Sequence, residues 1–214
     1  MSPPAIVPDD DAGRAAAIEV LRAGRIVALP TDTVYGIGCA LDAPRGVERL
    51  FEAKRRPPDR AIVLLLAVET QAPAIGVMTP AALALADAFW PGGLTLVVEQ
   101  QPSIELPDAL TGGAPTVGLR VPDHPCPRAL AAALGPMPVT SANRSGEAEA
   151  STAEAIAVRL GDGVDLILDG GRARGGPAST VVDCTTEPAR ILRPGGIDRE
   201  AVRRVLEAVA IPLA

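Results

Sequence analysis

Aromatic side chains are scarce in this chain, with two Phe, one Tyr and one Trp in 214 residues. No aromatic stripe is available for stacking bases, which counts against a sequence-reading RNA module. The core must instead be built from Ala, Val, Leu and Ile. Cysteine is also sparse: Cys39, Cys126 and Cys184 are far apart and odd in number, outside any C-x-x-C spacing. That pattern excludes a disulfide framework or a zinc site and predicts reduced, buried thiols. The only histidine, His124, cannot anchor a multi-histidine metal centre. The longest apolar run, Ala61 to Val68, is too short to span a bilayer, and no basic segment followed by an apolar one opens the chain. The expectation is a cytoplasmic protein without membrane contact. A net charge of -6 offers no global basic field, so nucleic-acid contact would need a local patch of arginines. Neither G-x-x-x-x-G-K-[ST] nor G-x-G-x-x-G occurs, so a nucleotide would have to be held by cationic side chains and polar loops. Lysine is nearly absent, for every Lys or Arg position except Lys54 carries arginine. A position that needs a compact ammonium would resist that bias; equally, one lysine had to remain somewhere.

What is present reads as one α/β domain over 1–214, with its core at about 11–209. Hydrophobic residues make up 48% of the chain, enough for a full core. Asp9 to Asp11 open an Ala-rich helix that Gly24 ends. Arg25 to Pro30 is a buried strand, delivering the chain into the polar, glycine-containing segment Thr31 to Gly38, a usual place for a ligand site. A helix from Pro44 to Arg55 presents Val47, Leu50 and Phe51 on one face. Strands follow at Ala61 to Ala67, Leu94 to Glu99, Val117 to Val121, Pro138 to Thr140, Val164 to Leu168, Ser179 to Cys184 and Arg190 to Leu192. Helices are expected at Pro80 to Phe89, Arg128 to Leu134, from a capping box Ser151-Thr-Ala-Glu154 to Gly161, and from Asp198 to about Ala208. Interspersed strands and helices predict a mixed sheet.

Several segments carry chemistry. Lys54, Arg55, Arg56 and Arg60 surround the Pro57-Pro58 break and suit a triphosphate clamp, though cations in a last helical turn are also ordinary. Ser141 and Asn143 lie on one side of an extended segment and could bind phosphate or ribose oxygens, or simply form a turn. Ser179-Thr180 follows a glycine-rich loop and serves either a ligand or the backbone. His124, between Asp123 and Pro125, reads as a loop residue constrained by its backbone.

Seven segments in order then resemble one family. They are Pro30-Thr-Asp-Thr-Val-Tyr-Gly-Ile-Gly38, Lys54-Arg-Arg-Pro57, Trp90-Pro-Gly-Gly-Leu-Thr95, Arg120-Val-Pro-Asp-His124, Ser141-Ala-Asn-Arg-Ser-Gly146, Ser179-Thr-Val-Val-Asp183 and Arg193-Pro-Gly195. From Ile26 to Gly196 the chain resembles the YrdC-like threonylcarbamoyl-AMP synthases, in their short, single-domain form. The resemblance implies a twisted mixed β-sheet flanked by helices. It also implies a nucleotidyltransferase that converts L-threonine, bicarbonate or CO2 and ATP to threonylcarbamoyl-AMP and pyrophosphate, with Mg2+ accompanying ATP. The product would pass to the machinery that modifies the adenosine beside the tRNA anticodon.

By the same resemblance, Lys54 and Arg56 are the catalytic cations. The ATP site comprises them with Arg60, Thr116, Ser141, Asn143 and Arg193. Thr33, Arg120, Thr140 and Ser179 surround L-threonine, and no protein side chain is expected to ligate a metal. Many relatives have Pro-Leu and then a histidine after the K-x-R-P motif, where this chain has Ala61-Ile62 and Leu65. Two other readings remain. One is a double-stranded RNA, tRNA or ribosome-associated binder using Arg45, Arg49, Arg55, Arg144, Arg172 and Arg174. The other is a related carbamoyl-adenylate enzyme with a different substrate.

Overall fold

The computed structural model describes residues 3–55, 61–173 and 175–214. Its strands are β1 (Ala5–Pro8), β2 (Val27–Leu29), β3 (Gly36–Gly38), β4 (Val63–Leu65), β5 (Leu94–Glu99), β6 (Thr116–Arg120), β7 (Met137–Ser141), β8 (Leu166–Asp169), β9 (Thr180–Asp183) and β10 (Arg190–Arg193). The helices are α1 (Asp11–Arg22), α2 (Gly46–Lys54), α3 (Pro80–Phe89), α4 (Asp108–Thr111), α5 (Pro125–Leu134), α6 (Ala153–Leu160) and α7 (Arg199–Ala208). Among the described residues, ten strands form one mixed sheet in the order β1-β8-β2-β3-β7-β4-β6-β5-β9-β10. The expected mixed-sheet α/β architecture is what the chain adopts.

Local chemistry explains most element ends. The Asp10 carboxylate accepts from the Gly13 amide at 2.8 Å and starts α1, while Gly24, at φ +73°, turns the chain away after it. α5 begins at Pro125, earlier than the expected Arg128, because His124 caps it. The His124 Nδ1 accepts from the Cys126 amide at 3.2 Å, and proline suits the first helical position. α6 is capped by Thr152, whose hydroxyl accepts from the Ala155 amide at 3.3 Å. This corrects the expected capping box: Ser151 lies outside the helix, and Glu154 stands at the second helical position instead of the third.

The polar, glycine-containing segment Thr31 to Gly38 contains the buried strand β3. Glycine usually signals a turn, but here two glycines admit a neighbour. A Cβ at Gly36 would stand 2.7 Å from Val139 Cγ1, and one at Gly38 would stand 3.0 Å from Val139 Cγ2. β3 therefore pairs tightly with β2 on one side and β7 on the other.

Strand alternation divides the core into two layers. Val27, Leu29, Leu65, Met137, Val139, Leu166 and Leu168 face α1 and α5. Ala28, Ile37, Leu64, Leu94, Leu96, Val117, Leu119, Ile167 and Val182 face the opposite layer, which includes α2, α3, α6 and α7. Where β6, β5 and β9 turn Val117, Leu119, Leu94, Leu96 and Val182 into that second layer, their other faces carry Thr116, Gly118, Arg120 and Thr95. α1 and α5 do not extend their apolar layer over this half of the sheet, and Thr95 and Arg120 there border a cavity.

Candidate active site

The cavity holds about 200 Å³. Its wall brings together Thr31, Thr33, Gly36, Val63, Leu65, Thr95, Arg120, Val139, Thr140, Ser141, Glu149, Ser179 and Arg193, from segments widely separated in sequence. Six predicted site residues thus share one space: Thr33, Arg120, Thr140, Ser141, Ser179 and Arg193. One side is apolar, through Val63, Leu65 and Val139, and the other is built from hydroxyls and guanidinium groups. That mixture suits a small ligand with both polar and apolar parts.

The loop after β2 is tied by Thr31, whose hydroxyl donates to the Val34 carbonyl at 2.6 Å and accepts from the Thr33 amide at 3.2 Å. This turn aims Asp32 at Arg120. The Arg120 Nη2 lies 2.7 and 2.8 Å from the two Asp32 oxygens, and Nε donates to the Gly92 carbonyl at 2.9 Å. Both side chains are about nine-tenths buried, at 8% and 10% exposure. Burial pulls the Arg120 pKa below its ordinary value; the Asp32 charge opposes that shift, and nearby Arg193 reinforces it.

Arg193 donates through Nε and Nη2 to the Ser179 carbonyl at 3.2 and 2.9 Å, and through Nη2 to the Ser179 hydroxyl at 3.0 Å. The Ser179 and Thr95 hydroxyls are 2.8 Å apart. Arg193, grouped in sequence with the nucleotide, is therefore bonded to a residue grouped with the amino acid.

Lys54 is buried, at 3% exposure. Its ammonium donates to the Ser141 carbonyl, to the Asn143 carbonyl at 2.7 Å and to Asn143 Oδ1 at 3.0 Å. The Lys54 carbonyl accepts from the Ser145 amide at 3.0 Å. Lys54 and the Ser141-Ala-Asn143 segment, distant in sequence, thus form one cluster. Of its members, Ser141 lines the cavity.

Thr116 begins β6 on the same face as Gly118 and Arg120, but it is not part of the wall: four residues of strand, about 13 Å, separate it from Arg120. Arg56 and Arg60 lie outside the described residues, as do Pro57, Pro58 and Arg174. Leu65, where relatives were expected to carry histidine, lines the cavity at 4% exposure. Sequence reasoning did not single out Asp32, Gly92, Thr95 or Glu149. The first three fall inside quoted motifs, yet a motif does not disclose which of its members will be bonded to another. Of the arginines considered for RNA, Arg45 pairs with Glu52 at 3.0 Å, and Arg144 and Arg55 approach Asp162 at 3.3 and 4.0 Å. The three cysteines are free and buried. Among the described residues, no helix is long and apolar enough to cross a membrane.

Fold and cavity define an α/β protein with a small, partly polar cavity on the uncovered face of a mixed sheet. More specifically, the chain belongs to the Sua5/YciO/YrdC family, whose model, described as telomere recombination, matches residues 19–195. It is 37% identical to the threonylcarbamoyl-AMP synthase of Pyrococcus abyssi, over 89% of this chain and 56% of that protein. It is 40% identical to the putative threonylcarbamoyl-AMP synthase of Mycobacterium tuberculosis H37Rv, over 94% of this chain and 92% of that one. The crystal structure of P. abyssi Sua5 complexed with L-threonine superimposes with a TM-score of 0.87 at 36% identity, covering 98% of this chain and 61% of that chain. Escherichia coli YciO gives a TM-score of 0.83 at 30% identity, covering 94% of this chain and 100% of that chain. The chain spans 56% and 57% of the length of the P. abyssi and Bacillus subtilis relatives.

Proposed function

We propose that this protein is an L-threonylcarbamoyladenylate synthase, a nucleotidyltransferase using L-threonine, bicarbonate or CO2 and ATP. The observation that carries the reading is the convergence of Thr33, Arg120, Thr140, Ser141, Ser179 and Arg193 on one cavity beside the Lys54 cluster. Membership of a family that includes named threonylcarbamoyl-AMP synthases supports it, as does the threonine complex of P. abyssi Sua5.

The chemistry asks mainly for positioning. The threonine amine takes up CO2 as a carbamate, losing a proton. A carbamate oxygen then attacks the α-phosphorus in line, the bond to the β-phosphate bridge breaks, and pyrophosphate leaves. Arg120 and Arg193 supply positive charge at the hydroxyl-rich end, where the amino acid's carboxylate would lie with Thr33, Thr140 and Ser179. The nucleotide would occupy the Ser141 side, with charge from Lys54, Arg56, Arg60 and Arg193 balancing the phosphates. Thr116 would contact the nucleotide from farther along β6. Mg2+ would enter with ATP as the Mg–ATP substrate. The product would serve the tRNA threonylcarbamoyl-transfer machinery.

Purified protein incubated with ATP, bicarbonate and single amino acids tests this, with pyrophosphate release and adenylates followed by mass spectrometry. Threonine-dependent threonylcarbamoyl-AMP is expected. An adenylate formed only with another amino acid would show that the Leu65 wall selects a different substrate, and no adenylate at all would refute the proposal.

A further inference from the structure

Helix α3 is apolar nearly all round. Asp87 is the one charged side chain in its ten residues, and Ala81, Ala82, Leu85 and Ala86 are the ones it buries in the core. Its outer face carries Leu83, Ala84 and Ala88, with Leu83 at 53% exposure. A helix without a polar face is ordinarily enclosed on every side. α7 packs beside it and is also wider in its apolar arc than the core covers. Val202 and Leu206 are buried, while Val205 is half-buried and Val209 is 44% exposed. Ala84, Ala88 and Phe89 of α3 and Val205 and Val209 at α7 line a groove of about 590 Å³ between the two helices. It lies in the layer on the far side of the sheet from the cavity.

Two opposite charges border this groove, Asp87 from α3 and Arg204 from α7. Neither makes an ion pair or a side-chain hydrogen bond among the described residues, whereas Arg203 is bonded to Glu200 and Glu207 of its own helix. We propose that this face binds a second copy of the chain, in a twofold dimer that sets α3 of each protomer over α7 of the other. A twofold axis running along the groove exchanges the two helices, so Asp87 meets the partner's Arg204 and the pair occurs twice. A purely apolar occupant would bury Asp87 and Arg204 without partners, and an occupant of one charge sign would repel one of them. A second copy covers the apolar side chains and matches both charges. Ten-residue helices are about 15 Å long and cover less than a standard interface, so the dimer is weak, with a dissociation constant on the order of 10 μM. The inference does not depend on the reaction.

Sedimentation equilibrium of the full chain at graded concentrations tests the proposal. Wild type should move from monomer to dimer mass as concentration rises. Asp87→Arg opposes arginine to arginine and Arg204→Asp opposes aspartate to aspartate, so each should weaken association by about tenfold or more. The double variant carrying both changes restores opposite charges and should associate as wild type does. Both positions are exposed, so circular dichroism of all three variants should stay native. A wild-type protein that remains monomeric at every concentration overturns the proposal, and so does a dimer that both single reversals leave intact. A double variant that associates no better than the single ones shows that Asp87 does not face the partner's Arg204, and overturns the arrangement.

Discussion

Asp32 bears on the amino-acid side of the cavity as much as any residue expected there. Arg120 is buried, and without a carboxylate its charge would be uncompensated in a poorly solvated place. Asp32→Ala should therefore destabilise the protein by about 3–5 kcal/mol, the cost of breaking a buried pair from one side. Urea unfolding measures this, and a loss well under 1 kcal/mol would mean that solvent already screens the pair. Asp32→Asn, which keeps the shape and one acceptor, should lose less. None of this was legible from Arg120 alone. The resemblance placed it beside L-threonine, while its present partner is 88 positions away and arrives only because the Thr31 turn points it inward. The same holds for Lys54. Sequence marked it as unusual, but its hydrogens go to a loop 87 and 89 positions away.

Elements were readable where burial was one-sided and ends were chemically marked. α3 and β5 match expectation at both ends, and Val47, Leu50 and Phe51 are buried on α2 as their spacing implied. β1 escaped because three of its four residues are exposed, leaving no alternation to detect. The short α4 and the 3-10 turn Glu69–Ala74 are too brief for a periodic signal. The start of α6 offers a direct test of which hydroxyl caps it. Thr152→Ala should cost about 1 kcal/mol of stability, whereas Ser151→Ala should change it by no more than about 0.5 kcal/mol, as for an uninvolved surface site. Equal losses in parallel thermal melts would return the cap to Ser151.

On the scale of the whole molecule, the site is a consequence of unequal coverage. Two helices close one face over β8, β2, β7 and β4, while the other layer closes the opposite face across the sheet, leaving the β6-β5-β9 stretch to turn polar groups into a cavity. Tyr35 links the two regions. Fully buried, its hydroxyl donates to the Gly171 carbonyl at 2.7 Å and accepts from the Gly170 amide at 3.0 Å, fastening the loop before Ser179 to the strand behind the cavity. Burial pushes the Tyr35 pKa up to about 12 against the partly compensating Gly170 bond. Burial likewise raises Cys39 and Cys184 to about 12. For each group the folded pKa exceeds the unfolded one, so its stabilising contribution is complete below the unfolded value and is lost as pH rises toward the folded one. Urea midpoints should thus show no loss from these groups between about pH 7 and 8.5, then fall steadily as the unfolded thiols and phenol ionise, near pH 8.5 and 10. With one tyrosine in the chain, phenolate absorbance follows Tyr35 alone. Its rise should coincide with loss of the folded circular-dichroism signal, because opening the fold releases the phenol. A phenolate transition centred near pH 10 in a chain that still shows its native dichroism would mean that Tyr35 is open to water and does not fasten the Gly170–Gly171 loop.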